Sequence, residues 1–212
     1  MKIIIRDRDH DVAFGIAEII ASADIHDIEV ERGDIFAKPA QCIVSPANSF
    51  GFMDGGIDLV YSRRWPHVQG RLQAAIKTVP FSELGVGSAM LVPTDDEQFP
   101  FMIAAPTMRT PSRIPPLNVY LATRAAVAYA LVLGQETLLM PGMGTGCGNL
   151  PPHFAGAAML GGIVDGLKGG GGADFPSSLA EARAHEIKVC FGGDLRPGMN
   201  GWYTPGMKTA KG

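Results

Sequence analysis

An amide, two adjacent glycines and a carboxylate occur together directly after an apolar segment. They are Asn48, Gly55, Gly56 and Asp58, in the stretch Asn48-Ser-Phe-Gly-Phe-Met-Asp-Gly-Gly-Ile-Asp58. A turn between a strand and a helix needs one or two glycines, and Asp58 could then cap the helix. The chemical alternative is a loop whose backbone N–H groups hold an anion, with a carboxylate beside it. These residues alone leave both interpretations open.

A second glycine-rich segment spans residues 141–151, with four glycines between positions 142 and 148. Glycine adopts positive φ easily and leaves room for a ligand to approach the main chain. The segment leads into a predicted helix, whose N-terminus would add to the attraction for a diphosphate. It matches neither the Walker loop nor the Gly-x-Gly-x-x-Gly dinucleotide pattern. A tight turn and an anion cradle are both compatible with it.

The third candidate is Gly33-Asp34-Ile35, which follows a predicted strand. An aspartate in a turn usually accepts a hydrogen bond from its own backbone. A carboxylate can also accept a hydrogen bond from an exocyclic amine such as that of adenine. Both roles are open for Asp34.

The composition excludes several classes of protein. The chain has 212 residues, of which 46% are hydrophobic and 18% charged, so a sizeable core is expected. The net charge of −3 does not favour broad electrostatic attraction to nucleic acid, although a phosphate-bearing small molecule can be held by backbone N–H groups. Three widely spaced cysteines and five scattered histidines indicate neither a disulfide framework nor a metal site. Without a signal-like or membrane-spanning apolar stretch, we expect a soluble cytoplasmic protein. We also expect that it needs no cofactor.

Strands and helices are predicted to alternate along the chain. Apolar runs and period-two patterns predict strands at 2–5, 28–31, 42–45, 88–92, 101–105, 138–140 and 188–191. Helical spacing predicts helices at 11–21, 57–76 with a bend near Pro66, 117–131, 154–167 and 178–184. This alternation favours a mixed or mainly parallel sheet with helices on both faces. Since ligands in such folds bind beyond the carboxyl ends of the strands, both glycine segments are expected at one crevice.

The order of these segments resembles a macro domain over roughly residues 28–191. The matching segments are Gly33-Asp34-Ile35, residues 43–49, Gly55-Gly56-Ile57-Asp58 and residues 141–146. The spacing from Asn48 to Asp58 is similar to the signature of the MacroD-type hydrolases. The resemblance implies a three-layer α/β/α sandwich with a mixed, mainly parallel central sheet and a cleft for ADP-ribose. We expect one such domain over 1–195 with an insertion near 168–186, followed by a Gly/Pro-rich tail at 196–212.

The resemblance also implies roles for individual residues. Asp34 would contact the adenine amine, Asn48 the distal ribose, and the loops 55–57 and 144–148 the diphosphate. Asp58 and Asn48 would be the catalytic residues. An aromatic often lies near the end of the last strand in this family, so Phe191 is a candidate for stacking on adenine, with a core phenylalanine as the alternative. The implied ligand-binding set is Asp34, Ile35, Ala47, Asn48, Gly55, Gly56, Ile57, Gly144, Thr145, Gly146, Cys147, Gly148 and Phe191.

The implied function is binding of ADP-ribose and hydrolysis of mono-ADP-ribose from protein carboxylates or of O-acetyl-ADP-ribose. A water held by the diphosphate would attack the anomeric carbon, with Asp58 as its general base. The chain departs from the family pattern at Ser45, where a second asparagine is common, at Leu59, and at 147–150, where a loop aromatic is missing. These departures motivate the alternative of a non-catalytic module that binds ADP-ribose.

A further alternative changes the substrate to ADP-ribose-1″-phosphate or ADP-ribosylated DNA, with Arg109, Arg113 and Arg124 as a possible basic patch. The expected partners are ADP-ribose or ADP-ribosylated protein. No membrane partner is expected, and nucleic acid is expected as a partner only if it is an ADP-ribosylated substrate.

Overall fold

The computed structural model describes residues 1–23, 27–168, 176 and 178–191. Within these ranges the strands are β1 (Lys2–Asp7), β2 (Ile28–Arg32), β3 (Cys42–Ser45), β4 (Met90–Pro93), β5 (Phe101–Ala104) and β6 (Thr137–Met140). The helices are α1 (His10–Ala21), α2 (Gly56–Arg64), α3 (Val68–Ile76), α4 (Pro116–Val132), α5 (Pro152–Leu167) and α6 (Leu179–Phe191). No helix within the described ranges is both long and apolar enough to cross a bilayer.

The strands form one sheet in the order β2-β1-β6-β3-β5-β4. Every neighbouring pair is parallel except β4 and β5, which are antiparallel. Ile3 of β1 lies opposite both Ile28 of β2 and Leu138 of β6, so the N-terminal strand is an interior strand. The mixed, mainly parallel sheet is therefore confirmed. The carboxyl ends of its five parallel strands meet at one edge, where the glycine segments begin.

Side chains alternate between two apolar cores, one on each face of the sheet. Ile3 and Ile5 pack in the core that is closed by α1, α4 and α5. Ile4, between them, belongs to the opposite core, which contains Tyr61 of α2 and Leu72 of α3. Each such fully buried aliphatic side chain contributes about 1.5–3 kcal/mol of transfer free energy. The three-layer α/β/α arrangement is confirmed.

Local signals set the ends of the helices. The Asp9 side chain caps α1 by accepting hydrogen bonds from the N–H groups of Asp11 and Val12. Helix α2 ends at Arg64, shortly before Pro66, and α3 begins at Val68. The ring of Pro66 restricts the preceding residue and cannot donate a helical hydrogen bond. The predicted bend of the 57–76 segment is confirmed as a break between two helices.

The strand predicted at 188–191 is wrong, because these residues form the last turn of α6. A four-residue apolar run has no length or flanking signal that separates a strand from a helix. The glycine cluster at 169–172 and the predicted tail at 196–212 lie outside the described residues.

Candidate functional site

A cleft of about 550 Å³ opens at the carboxyl edge of the sheet. Its walls come from the end of β1, the segment between β3 and α2, the loop after β5, and the glycine segment after β6. Residues Gly55 and Gly56 of the first glycine segment and Gly144 to Gly148 of the second line this same cleft. The expectation that the two glycine segments share one crevice is therefore confirmed.

Most of the residues that the sequence singled out line the cleft. They are Ile35, Ala47, Asn48, Gly55, Gly56, Ile57, Asp58, Gly144, Thr145, Gly146, Cys147 and Gly148. Asp34 is not among the lining residues, although its neighbours Gly33 and Ile35 are. Phe191 closes α6, and its side chain lies outside the described part of the structure.

Residues whose backbone N–H groups have no partner among the described residues line the cleft on two sides. Gly55 caps α2 without a side-chain hydrogen bond, and the first helical bond runs from Leu59 N–H to the Gly55 carbonyl. The N–H groups of the first turn of α2 therefore make no hydrogen bond within the described residues. The same holds for the N–H groups of Gly146, Cys147 and Gly148. Free N–H groups at a helix N-terminus and in a glycine loop together form a site for an anion.

The glycines of the two segments serve two physical purposes. Gly144 has φ +79°, and a Cβ there would lie 2.5 Å from Val119 Cγ2, so only glycine fits. A Cβ at Gly148 would lie 2.6 Å from the carbonyl oxygen of Gly144. At Gly146 and at Gly55, in contrast, a Cβ would meet nothing within 4 Å. The first pair shapes the loop, and the second pair leaves room for a ligand.

Asp58 lies in the first turn of α2 and lines the cleft, with 9% of its surface exposed. Ser45 Oγ, at the end of β3, donates a hydrogen bond of 2.6 Å to Asp58 Oδ1. Burial raises the pKa of Asp58 to about 7, and the hydrogen bond from Ser45 opposes this rise. Asp58 Oδ2 has no hydrogen-bond partner among the described residues. A carboxylate that titrates near neutral pH in a cleft is a candidate general base.

Asn48 orders the loop that precedes α2. Its Nδ2 donates to the carbonyl of Phe52 at 2.7 Å, and its Oδ1 accepts from the N–H groups of Phe50 and Phe52 at 3.1 and 3.2 Å. The carboxamide thus bonds the backbone of its own loop. One hydrogen on Nδ2 remains for a ligand.

Comparison with known proteins decides the family. A Macro domain family model matches residues 44–159, which is more than half of the chain. The chain belongs to the macro domain family. It is 38% identical over 136 residues to an uncharacterized protein of Aquifex aeolicus, a match that covers 63% of this chain and 79% of that protein. It is 35% identical over 124 residues to an uncharacterized protein of Aeropyrum pernix, covering 58% and 63% of the two chains.

Solved structures agree with this assignment at the level of the fold. The macrodomain of Mycobacterium tuberculosis DarG has a TM-score of 0.54 at 20% identity, covering 64% of this chain and 86% of that one. The Oceanobacillus iheyensis macrodomain with ADP also has a TM-score of 0.54 at 20% identity, covering 62% and 73%.

The end of the N-terminal strand also contributes residues to the cleft of this macro domain, and the sequence patterns did not single them out. Asp7 Oδ2 accepts a hydrogen bond from Gly142 N–H at 3.2 Å, and Asp7 Oδ1 accepts from Asp9 N–H. Arg6 and Arg8 also line the cleft. The available signal was the run of alternating charges, Arg6-Asp7-Arg8-Asp9, directly after an apolar strand.

Arg8 forms an ion pair with Asp34 in this macro domain. Its Nη2 donates to Asp34 Oδ2, while Asp34 Oδ1 accepts from Phe36 N–H at 3.1 Å. The Phe36 N–H and then Arg8 lower the pKa of Asp34. Asp34 is thus an ionised carboxylate that caps a short 3₁₀ turn at the rim of the cleft.

The two cysteine side chains in the described part of the chain, Cys42 and Cys147, occupy contrasting environments. Cys147 is exposed and lines the cleft, whereas Cys42 is buried in β3, where burial raises its pKa to about 12. Among the described residues, no group of three or more His, Cys, Asp or Glu side chains could hold a metal ion.

Proposed function

We propose that this macro domain binds ADP-ribose, with the diphosphate held between the start of α2 and the loop 144–148. The observation that carries the proposal is that residues of both segments whose N–H groups are unpaired within the described residues line one cleft. Such groups bind a diphosphate without a basic surface, which suits a chain of net charge −3. Support comes from the fold relatives, since the Oceanobacillus iheyensis macrodomain is described with ADP and a mutant of it with ADPR.

We further propose that the bound molecule is the mono-ADP-ribosyl group of a modified protein carboxylate, and that the domain hydrolyses it. A water attacks the anomeric carbon of the distal ribose, and the bond from that carbon to the ester oxygen breaks. The carboxylate leaves, and Asp58 accepts the proton of the water. A pKa of about 7 suits this role, because a general base works best when its pKa is near the operating pH.

The second candidate is a module that binds ADP-ribose without chemistry. It is favoured because the Asn48 carboxamide already makes hydrogen bonds to the backbone of Phe50 and Phe52 in its own loop. An asparagine committed to its own loop contributes less to holding the ribose for attack. Binding and hydrolysis therefore need separate tests.

The test combines calorimetry with turnover on one protein preparation. Wild type is titrated with ADP-ribose and then incubated with a peptide that carries ADP-ribose on glutamate. Parallel incubations contain O-acetyl-ADP-ribose, ADP-ribose-1″-phosphate or an ADP-ribosylated oligonucleotide. The hydrolase proposal expects binding, release of ADP-ribose from the peptide, and a rate about 10²- to 10⁴-fold lower for Asp58→Asn. Binding without product from any substrate supports the module, and absence of binding rejects both candidates.

A further inference from the structure

Two side-chain hydrogen bonds fasten α2 to β3 one helical turn apart. Tyr61 OH donates to the carbonyl of Val44 at 3.1 Å, and Ser45 Oγ donates to Asp58 Oδ1 at 2.6 Å. Ser45 and Tyr61 are both fully buried. The first bond joins the helix to the strand backbone, whereas the second ends on the carboxylate that faces the cleft. Both bonds hold α2 against β3, but only the bond from Ser45 contacts the Asp58 carboxylate.

We propose that Ser45 is the positioning residue of Asp58, and that its hydroxyl holds Oδ1 so that Oδ2 stays available to the attacking water of the proposed reaction. The predicted effect of Ser45 on turnover rests on the proposed hydrolase function. Its predicted effect on the pKa of Asp58 does not. Ser45 is the last residue of a buried strand, so its hydroxyl is held by the sheet. Within the described residues Ser45 is the sole hydrogen-bond donor to the Asp58 carboxylate, and Oδ2 is without a partner.

The surroundings of Asp58 make this one hydrogen bond important. Burial disfavours the charged carboxylate, and a donated hydrogen bond favours it. Tyr61, on the same helix, stays neutral because burial, Asp58 and Asp7 raise its pKa. The other charged side chains that line the cleft are Arg6, Asp7, Arg8, Asp9 and Asp54. None of them bonds Asp58, so removal of the Ser45 hydroxyl removes the direct stabilisation of the ionised form.

The first experiment follows the titration of Asp58 by NMR of the ¹³C-labelled carboxyl carbon, without ligand. Asp58→Asn identifies the signal. We expect Ser45→Ala to raise the titration midpoint by about one to two pH units. Tyr61→Phe is the matched control, because it removes the other bond between α2 and β3 and leaves the carboxylate untouched. Equal midpoints in wild type and Ser45→Ala, with both proteins folded, would overturn the proposal.

The second experiment measures kcat and KM against pH for wild type, Ser45→Ala and Ser45→Thr. We expect the profile of kcat for Ser45→Ala to move to higher pH with little change in KM, and Ser45→Thr to restore the profile because it restores a hydroxyl. A profile for Ser45→Ala that coincides with that of wild type contradicts the positioning role. If wild type shows no turnover at all, the hydrolase proposal fails, and the titration still decides whether Ser45 controls Asp58.

Discussion

Asp7 and Gly142 are joined by a hydrogen bond of 3.2 Å, although 135 residues separate them in the chain. Asp7 ends the N-terminal strand β1, and Gly142 follows β6 at the start of the second glycine segment. The contact is close, since a Cβ at Gly142 would lie 3.0 Å from Asp7 Oδ2 and 2.4 Å from Val12 Cγ1. The N-terminal strand and helix therefore fix the base of the loop that we propose holds the diphosphate.

Loss of the Asp7 carboxylate is expected to weaken ligand binding indirectly. In Asp7→Ala the Gly142 N–H loses a charged acceptor, an interaction of about 1.5–3 kcal/mol, and the loop is less well ordered before ligand arrives. We expect ADP-ribose to bind about tenfold more weakly by calorimetry. Asp7→Asn, which keeps an acceptor oxygen, should recover most of the affinity. Equal affinity of wild type and Asp7→Ala would show that this contact does not organise the site.

A side chain added at Gly146 is expected to fill the cleft without straining the fold. A Cβ at this position would meet nothing within 4 Å, and the residue lines the cleft. We expect Gly146→Val to lower ADP-ribose affinity by at least about tenfold, or 1.4 kcal/mol, with an unchanged unfolding temperature. Gly70→Ala on α3 also adds a side chain in open space, away from the cleft, and serves as the control. Undiminished binding by Gly146→Val would place the ligand elsewhere.

Asn48 is expected to matter for stability as well as for binding. Asn48→Ala removes one donated and two accepted hydrogen bonds within the loop 48–52. Because the loss of these bonds leaves backbone groups without partners, we expect the free energy of unfolding in urea to fall by about 1–3 kcal/mol. Ser49→Ala is the control, since Ser49 is the neighbouring polar residue in the same loop and is also buried. A stable Asn48→Ala protein with weak binding would instead assign the side chain to the ligand alone.

The raised pKa of Asp58 makes stability depend on pH in a definite direction. The folded-state pKa of about 7 exceeds the ordinary value of 3.8, so its contribution to stability is present at acid pH and lost as the pH rises through 7. Asp58→Asn does not titrate. The advantage in unfolding free energy of Asp58→Asn over wild type should therefore grow by up to about 4 kcal/mol between about pH 4 and about pH 8. An advantage independent of pH, measured by urea unfolding, would mean that Asp58 is ionised throughout.

Arg8 is expected to compete for the Asp34 carboxylate, if Asp34 contacts the adenine amine as the family resemblance implies. The pair with Asp34 is exposed, and such a pair contributes about 0–1 kcal/mol. Arg8→Ala frees Asp34 Oδ2, so we expect ADP-ribose to bind a few-fold more tightly, whereas Asp34→Ala should bind it more weakly. The inosine analogue, which lacks the amine, should bind wild type and Asp34→Ala alike. If the analogue distinguishes the two proteins, Asp34 acts on something other than the amine.

Sequence reasoning succeeded where the signal is local. Apolar runs such as Ile3 to Ile5 and Ile43 to Val44 predicted all six strands of the described residues, and Pro66 predicted the break between α2 and α3. The convergence of the two glycine segments could also be predicted, because parallel strands bring their carboxyl ends to one edge.

Sequence reasoning failed where position in the sheet decides the role of a residue. The pairing of β1 with β2 and β6 brings Asp7 and Arg8 to the cleft, and the charged run after β1 does not by itself specify that pairing. The strand expected at 188–191 forms the last turn of α6, because a short apolar run does not by itself distinguish a strand from a helix. Ser45 departs from the family pattern, and its bond to Asp58 depends on the placement of α2 over β3, which the sequence around Ser45 does not specify.

The convergence of two loops on one ligand is tested most directly by titration of ¹⁵N-labelled protein with ADP-ribose. We expect the amide signals of residues 55–58 and of residues 144–148 to shift along a single binding curve, while those of α3 stay in place. ADP and ADP-ribose should both move the two loops, whereas adenosine, which lacks the diphosphate, should not. Shifts confined to one loop, or separate curves for the two, would contradict the account.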